Sequence, residues 1–351
     1  MAKNNDNPIE SVKEYYGDVL KSTKDLKTSA CCVNGAPPAR IRAILKDIHP
    51  EVLDKFYGCG SPIPPALEGK TVLDLGSGTG RDCFILSKLV GGTGKVIGVD
   101  MTQNQIDTAN KHLDFHTKQW GYARPNVVFR QGYIEDLESV GIKNESVDIV
   151  ISNCVLNLSP NKERVFAEIF RVLKPGGELY FSDVFADRRI PKELTTDPLL
   201  LGECLSGALY IEDFRRILSR LGCHDYRTLS KSQIAISDSE VEHKIGMINF
   251  NSITIRAFKL DLEDRCEDYG QVAYYKGSID ECPNIFTLDD HHIFTKDQPM
   301  LICKNTASML SQTRFAKHFK IIGEANKHFG PFNCEMNGVS KVANMALSPC
   351  C

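Results

Sequence analysis

The sequence predicts an α/β protein with a Rossmann-like parallel sheet, an added module and a small α+β C-terminal domain. Two observations support this: apolar strand patterns alternate with helix patterns over residues 71–182, and a glycine-rich turn follows the first strand. Such alternation is typical of a parallel sheet with right-handed crossovers. The alternation weakens past residue 187. We therefore predict three parts, at residues 1–187, 188–279 and 280–351.

The composition limits the partners of the chain. Its 351 residues suffice for about two domains. Lys and Arg number 42 and Asp and Glu 45, a net charge of −3, so the basic surface that nucleic acid binding needs is not expected. Residues 1–8 are polar, and no apolar run approaches the roughly 18 residues of a membrane span. We expect a cytoplasmic protein with neither nucleic acid nor membrane as a partner.

The predicted elements follow one another in chain order. Each strand is a short apolar run suited to a buried strand, and the helices repeat apolar residues at helical spacing. The predicted helices span residues 8–29, 40–56, 103–120, 161–173 and 305–318, with a helix from residue 81, a less regular helical segment over 191–210 and a helix ending near residue 221. The predicted strands span residues 71–75, 96–99, 127–131, 147–152, 178–182, 233–236, 252–258, 272–275 and 300–303.

The glycine turn predicts a nucleotide-sized pocket. Gly76, Gly78 and Gly80 follow the first strand, and glycines let the backbone turn tightly and approach a ligand. A helix that begins near Arg81 points its free N–H groups at that ligand. Asp100 ends the next strand, where a carboxylate accepts hydrogen bonds from both ribose hydroxyls.

The spacing of this turn favours one class of ligand. It is G-x-G-x-G, not the dinucleotide pattern G-x-G-x-x-G, and Asp74 lies inside the first strand. These features resemble S-adenosylmethionine-dependent methyltransferases more than dehydrogenases, although a glycine-rich turn of another open sheet is the alternative. The residues expected to bind the cofactor are Tyr57, Gly76, Gly78, Arg81, Asp100, Met101, Gln105, Ile134, Glu135 and Asn153. Simple helix capping is the alternative for Arg81, and packing within its loop is the alternative for Tyr57.

The cysteines are the second unusual feature. The chain has 13, none in a C-x-x-C spacing, which argues against a zinc ribbon or a thioredoxin-type motif. Cys154 ends the fourth strand, Cys204 lies between glycines, and Cys32 and Cys59 lie in loops before the first strand, so all four can face one cleft. Thiolates together select soft acceptors. The remaining internal cysteines are interpreted as small buried hydrophobes: Cys83, Cys223, Cys266, Cys282, Cys303 and Cys334.

Two other patterns receive plainer interpretations. Residues 289–292, Asp-Asp-His-His, look like a metal cluster, but neighbours on an extended chain point to opposite faces, so we predict a solvated loop. Cys350 and Cys351 either join a thiol relay or belong to a disordered tail, and the tail is our prediction.

Five segments carry a family resemblance that covers almost the whole chain: residues 31–32, 57–60, 74–83, 152–158 and 202–209. They closely resemble the arsenite S-adenosylmethionine methyltransferases. The glycine turn is shared by many methyltransferases, whereas the Tyr-Gly-Cys-Gly, Ser-Asn-Cys-Val and Gly-Glu-Cys contexts together are specific.

The resemblance implies methyl transfer from S-adenosylmethionine to trivalent arsenic, in arsenic metabolism and detoxification. It implies that Cys32, Cys59, Cys154 and Cys204 handle the arsenic, with the last two as persistent ligands. Cys32, which directly precedes Val33, is chosen over Cys31. The resemblance also implies a disulfide among protein thiols after transfer, which thioredoxin or glutathione resets.

The chemistry of arsenic and thiols is consistent with this function independently of the family resemblance. Trivalent arsenic prefers sulfur, and three thiolates around it leave its lone pair free as the nucleophile. Two alternatives remain: a small-molecule methyltransferase with structural cysteines, and a thiol-rich protein that sequesters or senses metalloids. Arsenite titration with and without S-adenosylmethionine, with identification of products, separates the three.

Overall fold

The computed structural model describes residues 37–54 and 62–334. The helix predicted at residues 8–29 and the residues Cys31, Cys32, Tyr57, Cys59, Cys350 and Cys351 lie outside these ranges. Within them, no helix is long and apolar enough to cross a membrane.

Helices and strands follow one another along the described residues. The helices are α1 (Ala39–Leu45), α2 (Pro50–Leu53), α3 (Arg81–Val90), α4 (Gln103–Lys111), α5 (Leu113–Gln119), α6 (Lys162–Val172), α7 (Pro198–Gly202), α8 (Ile211–Arg220), α9 (Ser239–Ile245) and α10 (Lys304–Ser311). The strands are β1 (Thr71–Leu75), β2 (Lys95–Asp100), β3 (Val127–Gln131), β4 (Val147–Asn153), β5 (Leu173–Ala186), β6 (Leu209–Tyr210), β7 (Tyr226–Gln233), β8 (Phe250–Phe258), β9 (Glu267–Asp268), β10 (Gln271–Tyr275), β11 (Ile285–Thr287), β12 (Ile293–Thr295), β13 (Pro299–Ile302), β14 (Phe319–Ile322) and β15 (Gly330–Pro331).

One large sheet forms the centre of the fold, in the order β3-β2-β1-β4-β5-β8-β7, with β6 beside β5. The strands from β3 to β5 run parallel, whereas β8 and β7 are antiparallel. Apolar clusters pack on its faces, because strands such as β1 and β4 are buried along almost their whole length. The chain order reverses between β1 and β4, and ligands bind at the carboxyl ends of strands at such a point.

Several predicted elements differ from the structure. The helix predicted at residues 40–56 is interrupted before α2, because Pro50 cannot continue a helix but suits its first turn. The helix predicted at 103–120 is the pair α4 and α5. The strand predicted at 178–182 is the longer β5, because its second half pairs with β8. The strand predicted at residues 233–236 overlaps β7 only at Gln233, since β7 spans residues 226–233.

The later parts of the chain are closely connected to this sheet. Strands β7 and β8 come from the predicted middle part, yet they extend the same sheet as β1 to β5. Strand β10 of the predicted middle part pairs with β13 and β14 of the last part in a three-stranded sheet, β13-β10-β14, which shares an apolar cluster with α10. The divisions after residues 187 and 279 stay predictions.

A buried ion cluster joins the large sheet to the last part of the chain. Glu178 on β5 accepts from Arg256 Nε at 2.6 Å and pairs with Arg314 Nη1 at 2.5 Å, and all three side chains are buried. Arg256 also donates to the Leu288 carbonyl at 2.7 Å, and Arg314 donates to the Pro65 carbonyl at 3.1 Å. Charges removed from water need such partners, so this cluster couples the packing of both parts.

A second buried network lies nearby and corrects one prediction. Asp289 and His292 are buried, so the expectation of a solvated loop at 289–292 is wrong for these two residues. Asp289 lies 3.1 Å from Arg227 Nη1 and 2.8 Å from His292 Nδ1. Asp290 alone of the four is exposed. Asp289 and His292, three residues apart at a bend, therefore both face inward, where Arg227 pairs with the Asp289 carboxylate.

The ion cluster predicts a stability effect. Glu178→Gln leaves two buried guanidinium groups without their carboxylate, so we expect the free energy of unfolding to fall by about 3–5 kcal/mol. Glu212→Gln, which breaks an exposed pair with Arg215, is the control and should cost about 0–1 kcal/mol. Urea unfolding measures both, and equal effects would contradict a stabilising role for the buried cluster.

Candidate active site

The glycine turn after β1 packs on one side and is open on the other. Gly76 has φ +74°, and a methyl group added there would lie within 2.6 Å of Val155, the residue after Cys154. A methyl group at Gly78 would meet no atom within 4 Å. The turn is therefore in contact with the segment that carries Cys154, and its open side has room for a ligand.

Asp100 ends β2 beside this turn. One carboxylate oxygen accepts from the Gly78 amide at 2.9 Å and the other from the Thr102 amide at 2.8 Å. Burial raises the pKa of the Asp100 carboxyl, and these two amides oppose that shift. A carboxylate has about four lone-pair sites, so it can hold the turn and still accept from a ligand.

Other predicted cofactor residues follow the carboxyl ends of β2 and β3. Met101 and Gln105 follow Asp100 and are half-buried, and the Gln105 side-chain oxygen has no hydrogen-bond partner within the described ranges. Ile134 is buried, whereas Glu135 accepts from the Ser159 hydroxyl at 2.5 Å. An acceptor carboxylate, an unpartnered buried amide oxygen and an open glycine fit the adenosine half of S-adenosylmethionine.

Acidic groups lie beneath the turn. Asp74 is buried and accepts from the Cys83 thiol at 3.2 Å, and burial, reinforced by the nearby Asp82, raises the pKa of Asp74 to about 8. Asp82 lies 3.3 Å from Arg81 Nη1 and accepts from the Asn153 amide at 3.3 Å. The side chain of Arg81 therefore pairs with its neighbour in the first turn of α3.

Cys154 and Cys204 share two unusual features. Both are buried in the same apolar cluster, and both have positive backbone φ angles, +57° and +59°. Left-handed conformations at non-glycine residues cost about 1–3 kcal/mol and concentrate at functional sites. The surrounding structure must therefore impose these conformations.

The turn after Cys154 supplies that constraint. The amide and side chain of Asn157 donate to the Asp183 carboxylate at 3.2 and 2.8 Å, and the side chain also reaches the Val184 carbonyl. Burial raises the pKa of Asp183 to about 7. A methyl group at Gly207 would lie 3.0 Å from the Asn157 carbonyl carbon and closer still to its oxygen. The backbone after Cys204 thus packs directly on the turn after Cys154.

The predicted thiols differ in state and in position. Cys154 is disulfide-bonded, whereas the seven other cysteines in the described ranges, Cys204 among them, form no disulfide. The fold brings Cys154, Cys204 and the glycine turn to one place through Val155 and Asn157. The sequence did not single out Asn157, Asp183 or Gly207, because no local pattern indicates a backbone contact between distant segments. Cys32, Cys59 and Tyr57 lie outside the described residues.

The sheet order, the glycine turn after β1 and the acid that ends β2 define a class, the Rossmann-like S-adenosylmethionine-dependent methyltransferases. The comparison with family models agrees. A methyltransferase domain model matches residues 66–222. An arsenite methyltransferase C-terminal domain model matches residues 268–346.

Individual relatives narrow the class further. The chain is 50% identical to the arsenite methyltransferase of Aquipseudomonas alcaligenes, over 97% of this chain and 99% of that protein. It is 44% identical to the arsenite methyltransferase of Homo sapiens, over 89% of this chain and 84% of that protein. The crystal structure of CrArsM, an arsenic(III) S-adenosylmethionine methyltransferase from Chlamydomonas reinhardtii, matches with a TM-score of 0.82 and 50% identity, covering 85% of this chain and 100% of that one. The chain therefore belongs to the arsenite methyltransferase family, and the predicted family, fold class and methyltransferase activity are confirmed.

The position of Asp100 predicts an effect on cofactor binding. Asp100→Ala removes charge-assisted hydrogen bonds of about 1.5–3 kcal/mol each, so we expect affinity for S-adenosylmethionine to fall while arsenite affinity hardly changes. Asp107→Ala, at an exposed acid on α4, is the control. Calorimetric titration measures both ligands. Unchanged cofactor affinity in a folded Asp100→Ala protein would rule out the ribose contact.

Proposed function

We propose that the chain transfers methyl groups from S-adenosylmethionine to trivalent arsenic held by the thiolates of Cys154 and Cys204. The contact between Gly76 and Val155 carries this proposal, since it joins the cofactor turn to the residue next to Cys154. The names of the relatives, all arsenite methyltransferases at 44–50% identity, support arsenic as the substrate.

The residues expected to hold the cofactor keep their predicted roles in this proposal. Asp100, Met101 and Gln105 face the ribose, and Ile134 and Glu135 flank the adenine. The remaining contacts are assigned to Tyr57, Gly76, Gly78, Arg81 and Asn153. When bound, S-adenosylmethionine supplies an electrophilic methyl group on its sulfonium.

The protein contributes mainly ligation and alignment. Each thiol that binds arsenite replaces an As–O bond by an As–S bond, and its proton leaves with the hydroxyl as water. The lone pair of the bound arsenic is the nucleophile, so no side chain has to act as a general base. Holding two reactants in attack geometry is worth up to about 7–11 kcal/mol. The packed segment around Cys154 and Cys204 suits that role.

The cysteine thiols also supply the electrons that reduce arsenic after each methyl transfer. Methylation leaves arsenic formally pentavalent, and a return to the trivalent state takes two electrons. Two protein thiols supply them by forming a disulfide, and thioredoxin or glutathione then reduces that disulfide. The disulfide-bonded state of Cys154 supports this role. The dependence on such reductants supports a cytoplasmic location. Residues 188–279 are proposed as the arsenic-binding part.

The valence of arsenic predicts how the cysteines divide their work. Arsenite offers three exchangeable positions and its monomethylated trivalent form offers two. With Cys154 and Cys204 as the persistent pair, Cys32→Ser or Cys59→Ser should abolish methylation of arsenite and spare the monomethylated substrate. Cys154→Ser or Cys204→Ser should stop both reactions.

Product speciation with excess reductant measures each variant on each substrate. Cys223→Ser, at a buried cysteine in a different apolar cluster, is the control and should keep both activities. Full activity of Cys154→Ser on arsenite, or equal loss on both substrates in Cys59→Ser, would overturn the scheme.

A further inference from the structure

Three cysteines that are far apart in the sequence, near the C-terminal end of the described residues, meet at one point. Cys266 precedes β9, Cys303 precedes α10 and Cys334 follows β15, and their sulfur atoms all lie within 4.8 Å of one another. Cys303 is buried and the other two are half-buried. Their sequence positions predict isolated buried residues, because nothing local brings them together. The fold instead makes them a cluster, which we call the C-terminal trithiol.

The surrounding backbone holds these sulfurs in place. Cys303 caps α10, and its sulfur accepts from the Thr306 amide at 3.4 Å and lies 3.2 Å from the Thr306 hydroxyl. Strands β9 and β15 pair antiparallel, and the Phe332 amide donates to the Cys266 carbonyl at 2.9 Å. That pairing brings Cys334 beside Cys266. The cluster therefore spans the N-terminus of α10 and the β9–β15 pair.

Positive charge lies next to the trithiol. The buried Arg227 places Nη2 3.7 Å from the Cys303 sulfur, while it pairs with Asp225 at 2.7 Å and with Asp289 at 3.1 Å. A guanidinium and a helix N-terminus both favour an anionic sulfur. This environment therefore suits thiolate ligands, even though Asp225 and Asp289 offset most of the charge of Arg227.

We propose that Cys266, Cys303 and Cys334 form a second binding site for a trivalent metalloid, arsenite or antimonite, separate from the methyl-transfer site. Soft thiolates select soft acceptors, and three sulfurs match the three exchangeable positions of a trivalent metalloid. Structural zinc almost always takes four ligands. No fourth His, Cys, Asp or Glu of the described ranges joins this group. The ring nitrogens of His292 already contact Asp289 and Thr306.

The binding step balances without a redox partner. Three As–O bonds of arsenous acid break and three As–S bonds form. The three thiol protons leave with the three hydroxyls as three water molecules, and no electrons change hands. Monomethylated trivalent arsenic offers only two exchangeable positions and the dimethylated form one, so the site selects the unmethylated metalloid. The bound ion would also link α10 to the β9–β15 pair.

The test measures the number of arsenic atoms bound per chain of the full-length protein. The protein is reduced with a phosphine, because added thiols compete for arsenite, then treated with arsenite, desalted and measured for arsenic per chain. We expect Cys334→Ser to bind one arsenic fewer than the wild type. Cys282→Ser is the matched control: this half-buried cysteine lies in the same part of the chain but outside the trithiol, and its loss should change nothing.

A second pair of variants separates this proposal from the transfer site. Cys204→Ser should lose the transfer-site arsenic but keep one at the trithiol, with three sulfur neighbours by X-ray absorption. Adding Cys334→Ser should remove that arsenic. If Cys204→Ser binds as much as the wild type while Cys334→Ser binds less, the transfer-site assignment fails and the trithiol stands. If Cys334→Ser and Cys303→Ser bind as much arsenite as Cys282→Ser, the trithiol proposal is wrong.

Discussion

The short turn after β4 is packed by backbone on two sides, and the geometry of the site depends on that packing. Gly76 of the cofactor turn lies against Val155, and Gly207 lies against the carbonyl of Asn157, with too little space in either place for a methyl group. Close-packed interiors do not deform continuously, so both contacts fix where Cys154 can lie. The cofactor side and the thiol side of the site are therefore held by one turn.

This packing explains the unusual backbone of both cysteines. Positive φ angles at Cys154 and Cys204 are unfavourable by themselves and persist only when surrounding contacts enforce them. The hydrogen bonds from Asn157 to Asp183 anchor the turn to β5, and β5 is in turn held along its length by β4 and β8. The long central strand therefore sets the position of Cys154, which we propose as a ligand for arsenic.

Local features of the site were predictable from the sequence, whereas features that depend on distant pairing were not. The glycine turn and Asp100 each follow directly on an apolar strand, so their position at the switch point was predictable. The extent of β5 was not, because it depends on pairing with β8, which comes much later in the chain. The convergence of Cys266, Cys303 and Cys334 was hidden for the same reason. No periodicity links residues that only tertiary packing brings together.

The most direct measurement is the rate of arsenite methylation by Gly207→Ala, with its cofactor affinity measured in parallel. The added methyl group would push the Asn157 turn and with it Cys154, and a displacement of about 1 Å can cost about 100-fold in rate. We predict a loss of that order with unchanged binding of S-adenosylmethionine. Gly92→Ala, whose methyl would make only an ordinary contact with Tyr122 at 3.6 Å, should methylate normally. A wild-type rate in Gly207→Ala would contradict the claim that this packing aligns the thiols with the cofactor.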